Sequence, residues 1–336
     1  MKVDGGIGIE LDKAADGARD AELAGYSGVW TAETSHDPFF PLLLAAGSTS
    51  TLELGTSIAV AFARNPMTLA HTAYDLQAYS KGRFVLGLGS QIKPHITKRF
   101  SMEWSHPAPR MREMILAIRA IWDCWNNGTK LDFRGDFYTH TLMTPFFNPG
   151  PNPYGTAKIF LAGVGGLMTE VAGEVCDGFI CHGFTTERYL REVTIPALTR
   201  GRAKVGKTLD GFEIVGPSFV VTGTNESELA AASAGTRQQI AFYGSTPAYR
   251  GVLEIHGWGA LQDELNALSK QGKWVEMGTL IDDEILQTFA VVGEPEQLAP
   301  ELHRRYGDVI QRISFYAPYR TDPTRWRGVL DALKAA

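Results

Sequence analysis

Glu33, His36 and Asp37 fall within five residues of one another, just past the short apolar run Gly28–Ala32. A carboxylate beside an imidazole suits proton transfer near neutral pH. Asp37 precedes Pro38 and is accounted for as the start of a helix, which leaves Glu33 and His36 as the candidate catalytic groups. A second concentration of chemistry is Ala162, Gly163, Val164, Gly165 and Gly166, a run that leads directly into a helical segment near Leu167. Successive amide N–H groups at a helix N-terminus bind anions, and the helix dipole helps. The alternative is a tight turn that needs glycine for geometry alone. The spacing is not the Gly-x-Gly-x-x-Gly dinucleotide fingerprint. Lys93–Arg99 is a local basic cluster, either a solvated face or a clamp for a polyanion. Cys176 and Cys181-His182 lack a second pair at zinc-ligand spacing, so no metal is expected. Ser90 sits in Gly89-Ser90-Gln91, which is not a nucleophile elbow, and a serine hydrolase is unsupported.

These residues cluster at the ends of apolar runs, and the runs set the fold. Eight candidate strands are read: Gly6–Ile9, Gly28–Ala32, Leu52–Val60, Arg83–Gly89, Lys158–Gly163, Gly178–Cys181, Phe212–Thr222 and Gln311–Tyr316. Several are continuously apolar, as parallel strands covered on both faces must be. Helices lie between them. Asp12 is read as the cap of a helix that Gly25 stops, and Asn65-Pro66 as a cap followed by proline at the first helical position. Asn225 and Glu228 have capping-box spacing, Gly293-Glu294-Pro295 opens another helix, and Pro323 precedes the last one. Eightfold strand–helix alternation predicts α/β class and a (β/α)₈ TIM barrel, with an open doubly wound sheet as the alternative. Two insertions interrupt it: Asn126–Thr156, read as a hairpin plus loop before strand five, and Gly223–Phe289, helical, between strands seven and eight. The whole chain, 1–336, is read as one domain. In such barrels reacting groups sit at the carboxyl ends of the strands, which is where Glu33, Ser57, Gly89, Gly163 and His182 fall.

The chain has 336 residues, 44% hydrophobic and 21% charged, enough to build a full core and inconsistent with disorder. A net charge of −5 argues against a nucleic-acid platform. Three cysteines are too few for a disulfide framework, and no stretch reaches the ~18 apolar residues of a membrane span. A cytoplasmic protein acting on a small molecule, with neither nucleic acid nor membrane as partner, is expected.

Six stretches occur in a characteristic order: Gly25-Tyr26-Ser27-Gly28-Val29-Trp30-Thr31-Ala32-Glu33, Leu54-Gly55-Thr56-Ser57-Ile58, Asn65-Pro66, Gly82-Arg83-Phe84-Val85-Leu86-Gly87-Leu88-Gly89, Gly135-Asp136-Phe137-Tyr138 and Ala172-Gly173-x-x-x-Asp177-Gly178-Phe179. Over nearly its whole length the chain resembles the luciferase-like monooxygenase superfamily, and within it the coenzyme F420-dependent oxidoreductases. The resemblance implies a barrel with a deazaflavin or flavin lying across the strand ends. It implies a bulge in strand three with a non-prolyl cis peptide between Ser57 and Ile58. With Gly89 and Ser90, these residues would line one side of the ring. The cofactor phosphate would rest on Ala162–Gly166 and near His182-Gly183, and Glu33 falls where relatives carry an active-site carboxylate. Coenzyme F420 is the expected cofactor, with FMN the alternative. The expected reaction is hydride exchange with a small organic substrate; the alternatives are an FMN- and oxygen-dependent monooxygenase and a non-catalytic barrel that binds the deazaflavin. A homodimer is expected, and the Lys93–Arg99 loop is expected to meet the polyglutamate tail of the deazaflavin. The chain departs from the sugar-phosphate dehydrogenases of this branch: Thr34, not His, follows the carboxylate, and Gln91-Ile92-Lys93 stands where they carry Glu.

Overall fold

The computed structural model describes residues 1–8, 10–321 and 325–335. In chain order the strands are β1 (Lys2–Gly6), β2 (Gly28–Thr31), β3 (Glu53–Thr56), β4 (Ala59–Val60), β5 (Phe84–Gly89), β6 (Phe133–Arg134), β7 (Thr139–His140), β8 (Lys158–Ala162), β9 (Gly178–Ile180), β10 (Glu213–Val221), β11 (Ala290–Val292) and β12 (Arg312–Tyr316). The chain folds as the expected (β/α)₈ barrel, with helices between its parallel strands. Its contacts gather it into two compact units, Gly5–Ile180 with Ala197–Phe212, and Met1–Asp4 with Cys181–Pro196 and Glu213–Ala336.

In the first unit β2, β3, β5, β8 and β9 lie side by side, all parallel. Every residue of β5 is buried, which is why its sequence FVLGLG shows no alternation. The helix caps follow the sequence closely. Asn65 accepts a hydrogen bond from the Thr68 amide at 3.0 Å, with Pro66 in the first turn. Gly25, at φ 89°, ends the helix Leu11–Ala24, but Glu10 rather than Asp12 precedes that helix and makes no side-chain cap. The C-terminus of the helix Phe39–Ser48 is closed from outside it: Arg83 donates to the carbonyls of Ala46 and Thr49 at 3.0 and 3.1 Å. Glu22 accepts from the amides of Ser50, Thr51 and Leu52, which, against the opposing pull of burial, hold its carboxyl down to about 2. The first insertion contains the antiparallel hairpin β6–β7. Its tip is tied by Glu113, which accepts from the amides of Asp136, Phe137 and Tyr138; a Cβ at Gly135 would stand 2.2 Å from that carboxylate.

In the second unit β1, β12, β10 and β11 lie side by side, again all parallel. The second insertion is helical throughout, with Glu226–Gly244, Gly259–Lys270, Trp274–Thr279 and Asp283–Phe289 around a core that includes Ile240, Leu253, Leu265, Met277 and Leu286. Asn225 caps the first of these helices through the Glu228 amide, while the Glu228 carboxylate turns to Thr224 and Arg325 instead of closing the box. At Glu294 the capping box is complete, with Gln297 as its partner. Pro323, expected ahead of the last helix, lies outside the described residues.

Two strand expectations are corrected. β1 occupies Lys2–Gly6 instead of Gly6–Ile9 (Ile9 lies outside the described residues), and β11 was not anticipated. β1 carries charged residues because Asp4 has a partner far along the chain. Arg312, fully buried, holds Asp4 in a fork at 2.7 and 2.8 Å and reaches Glu213 at 3.3 Å, joining β1, β12 and β10. Replacing Arg312 by Met leaves two carboxylates buried without that cation, and should cost about 3–5 kcal/mol in urea unfolding. The double change Asp4→Asn/Arg312→Met should cost less than Arg312→Met alone.

Candidate active site

The site begins with a miscount between neighbouring strands. Gly55 stands opposite Val85, and Ala59 opposite Leu88, so the chain takes four steps on one side against three on the other. One residue too many makes a bulge, which splits the single expected strand Leu52–Val60 into β3 and β4. The peptide bond between Ser57 and Ile58 within it is cis, as the resemblance implied. Where the ladder is interrupted, the Thr56 side chain takes its place: its hydroxyl donates to the Gly87 carbonyl at 2.7 Å and accepts from the Gly87 amide at 2.9 Å. The strands come so close here that a Cβ on Gly87 would lie 1.7 Å from the Thr56 carbonyl oxygen. Ile58 packs on Gly89, where a Cβ would come within 2.9 Å of it.

The end of β2 follows the bulge. The Ser57 amide donates to Thr31 at 2.7 Å, and the Glu33 amide donates to the Ile58 carbonyl at 3.1 Å. The Glu33 side chain, 7% exposed, then crosses to β4: one carboxylate oxygen accepts from the Val60 amide at 2.7 Å and from Arg64 at 2.5 Å. Arg64 also donates to the Val60 carbonyl at 3.1 Å and to Asp37 at 2.9 Å. The other oxygen of Asp37 accepts from the Phe39 amide at 2.9 Å, which accounts for Asp37 as the helix start. Arg64 thus ties together two carboxylates that the sequence placed next to His36. Its role was missed in the sequence, although a carboxylate at the end of a buried strand signals that a cation must lie near. His36 itself is exposed on the same loop. Arg99, at the end of the basic loop, donates to the Thr34 carbonyl and packs on Phe100.

β8 ends at Ala162, and Gly165 directly precedes the helix Gly166–Val175. The five residues of this loop do not share one reason for their types. A Cβ at Gly163 would meet Met168 at 2.9 Å, a packing constraint. Gly165 and Gly166 are exposed, face open space and have ordinary negative φ. Crowding and turn geometry do not demand glycine at these two positions, and the missing side chains leave the first amides of the helix uncovered. Ser90 follows β5, its hydroxyl donating to the Gln91 carbonyl at 3.1 Å.

His182 and Gly183 follow β9 and belong to the second unit. The Phe184 amide donates to His182 Nδ1 at 3.0 Å, so Nδ1 is unprotonated and Nε2–H faces the Tyr249 hydroxyl at 3.2 Å. Burial pulls this imidazole down to about 4, which keeps it neutral at physiological pH. Tyr243 stacks edge-on against His182 and shares a 2.7 Å hydrogen bond with Tyr316, beside which Gly183 leaves room for no side chain without a shift. Burial raises the Tyr249 hydroxyl to about 12. These three tyrosines were not anticipated, because they come from the helical insertion and from β12. Cys176 and Cys181 are buried core thiols, both pushed up by burial.

Comparison with known proteins gives the family and the fold. The luciferase-like monooxygenase profile matches residues 2–312. An uncharacterized protein of Mycobacterium tuberculosis is 58% identical over 313 residues, 93% of this chain and 92% of that one. The 5,10-methylenetetrahydromethanopterin reductase of Archaeoglobus fulgidus is 26% identical over 303 residues, 88% of this chain and 82% of that one. Among solved structures, the coenzyme F420-dependent tetrahydromethanopterin reductase of Methanopyrus kandleri superposes with a TM-score of 0.78 at 17% identity, over 99% of this chain and 96% of that one. The bulge on strand three and the profile that spans it place the chain in one family: it belongs to the luciferase-like monooxygenases.

Proposed function

We propose that this protein is an F420-dependent oxidoreductase that exchanges a hydride with a small organic substrate. The observation that carries the reading is the bulge at Ser57–Ile58, flanked by Gly89 and joined to uncovered amides at Gly165–Gly166 by the order of strands in one unit. A 5-deazaflavin supplies two-electron hydride transfer, because carbon replaces nitrogen at position 5. Ser57, Ile58, Gly89 and Ser90 would form a wall for a flat ring. The first amides of the helix Gly166–Val175 would hold a phosphate through N–H donation and the helix dipole. Such a wall does its work by holding reacting carbons about 3–3.5 Å apart.

Within this reading the two candidate acid–base residues separate. One oxygen of Glu33 is committed to Val60 and Arg64, and its amide holds the Ile58 carbonyl. Glu33 therefore acts as a positioning residue for the bulge. His36, exposed on the loop after β2, is assigned the proton step. A flavin monooxygenase is the second reading, favoured by the family's own description.

Three measurements follow. Purified protein titrated with F420 and, separately, with FMN should quench deazaflavin fluorescence and leave FMN fluorescence unchanged; the reverse pattern selects the monooxygenase. His36→Ala should lower kcat by roughly 10²–10⁴-fold while F420 affinity holds. Glu33→Gln should weaken F420 binding more than it lowers kcat. A fall in kcat alone for Glu33→Gln would transfer the proton step to Glu33.

A further inference from the structure

The tautomer of His182 fixes where the hydroxyl protons around it go. The Phe184 amide occupies Nδ1, so the ring proton sits on Nε2, and Nε2–H donates to the Tyr249 hydroxyl at 3.2 Å. Tyr249 therefore accepts, and its own O–H remains to donate. The Tyr243 and Tyr316 hydroxyls, 2.7 Å apart, share one hydrogen bond. Whichever of them donates, the other keeps a proton that the pair does not use. Among the described residues no group accepts either of these two remaining protons. All four side chains belong to the second unit and are half-buried.

The two donors stand in one aromatic cluster. Tyr243 and Tyr249 both pack on the His182 ring, at 4.7 and 4.6 Å between centres. Phe184 lies 5.8 Å from Tyr249, and Phe219 stacks on Tyr316 at 4.7 Å. Gly183 adds no side chain here; a Cβ would come within 3.0 Å of the Tyr316 ring. Among the described residues, no charged side chain bonds to or stacks on His182 or the three tyrosines. Burial raises the hydroxyls of Tyr249 and Tyr316, so both are protonated at physiological pH. Such a cluster offers donors without a charge. A carboxylate or phosphate would enter it with no cation to offset the cost of losing water. An alcohol would bring a proton of its own that needs an acceptor. A carbonyl oxygen accepts two hydrogen bonds and donates none, and the rings match an apolar body.

We propose that Tyr249 and the Tyr243–Tyr316 pair form a binding site for an uncharged organic molecule, held by its carbonyl oxygen. His182 is a positioning residue, fixing which partner of the His182–Tyr249 bond donates. The site goes beyond the redox reading and uses none of the residues assigned there, so the two can fail separately.

The test uses the intact protein without cofactor, with acetophenone, the corresponding alcohol and benzoate as matched probes, and follows binding by ligand-observed NMR. Acetophenone should bind more tightly than either of the others. Tyr249→Phe should weaken it by about 3–10-fold, the range of one hydrogen bond. Tyr243→Phe/Tyr316→Phe should do the same, whereas either single change in the pair leaves a hydroxyl proton in place and should cost less. Should the double variant fail to fold, Tyr249→Phe carries the test alone. Nitrogen NMR of the unmodified protein should independently show His182 neutral, with its proton on Nε2. A proton on Nδ1 overturns the proposal, because Tyr249 would then donate to His182 and have nothing to spare. So does tighter binding of benzoate, unchanged acetophenone affinity in Tyr249→Phe, or no acetophenone binding at millimolar concentration.

Discussion

One surplus residue on the third strand governs the geometry of the candidate site. Parallel strands exchange hydrogen bonds at even spacing, so an added residue leaves donors and acceptors on the neighbour without a mate. Here the repair is local and nearly complete. The Thr56 hydroxyl serves both the amide and the carbonyl of Gly87, and Glu33 takes the Val60 amide. Each repair fixes a residue type: a short hydroxyl side chain at 56, no side chain at 87, and a carboxylate at 33. The carboxylate in turn requires a cation, and Arg64 supplies it within the same turn of chain that leads out of β4.

The same device recurs across the first unit. Carboxylates serve as acceptors for groups of backbone amides that no ladder or helix can satisfy. Glu22 does this at the entry to β3, Glu113 at the hairpin tip and Asp177 at the entry to β8. Arg83 is the mirror case, a cation that collects carbonyls at a helix end. Charged side chains that look like surface residues in the sequence are thus part of the backbone's hydrogen-bonding account. Each fixes a loop at one end of the strands, and so fixes where the strands end.

The features that depend on near neighbours could be read from the sequence. Asn65-Pro66 capped the helix it was expected to cap, since the cap and its amide are three residues apart. The hairpin around Gly135 was legible from its local turn residues, whereas the Ser57–Ile58 cis bond came through the resemblance of an ordered set of short stretches, not from any local rule. What depends on distant partners could not be read. The first strand was placed at Gly6–Ile9 rather than Lys2–Gly6, and the residue that holds Asp4 within the sheet lies 308 positions away. Asp12 has the residue type of a cap, but the helix starts two residues earlier than that cap implies, at Leu11, and Glu10 before it makes no side-chain cap. Arg64, placed near the end of strand three, was given no role because its two carboxylates belong to another loop. The tyrosines around His182 are scattered over the final hundred residues, with nothing in their spacing to connect them.

The helical segment between β10 and β11 buries Ile240, Leu265 and Leu286 in one core with Phe219 and Val221 of β10 and Ala290 of β11. An excursion rooted in the strands in this way leaves its outward residues with no part in that core. Selection can therefore rework that surface, by substitution or by changes in helix length, without forfeiting a folded scaffold.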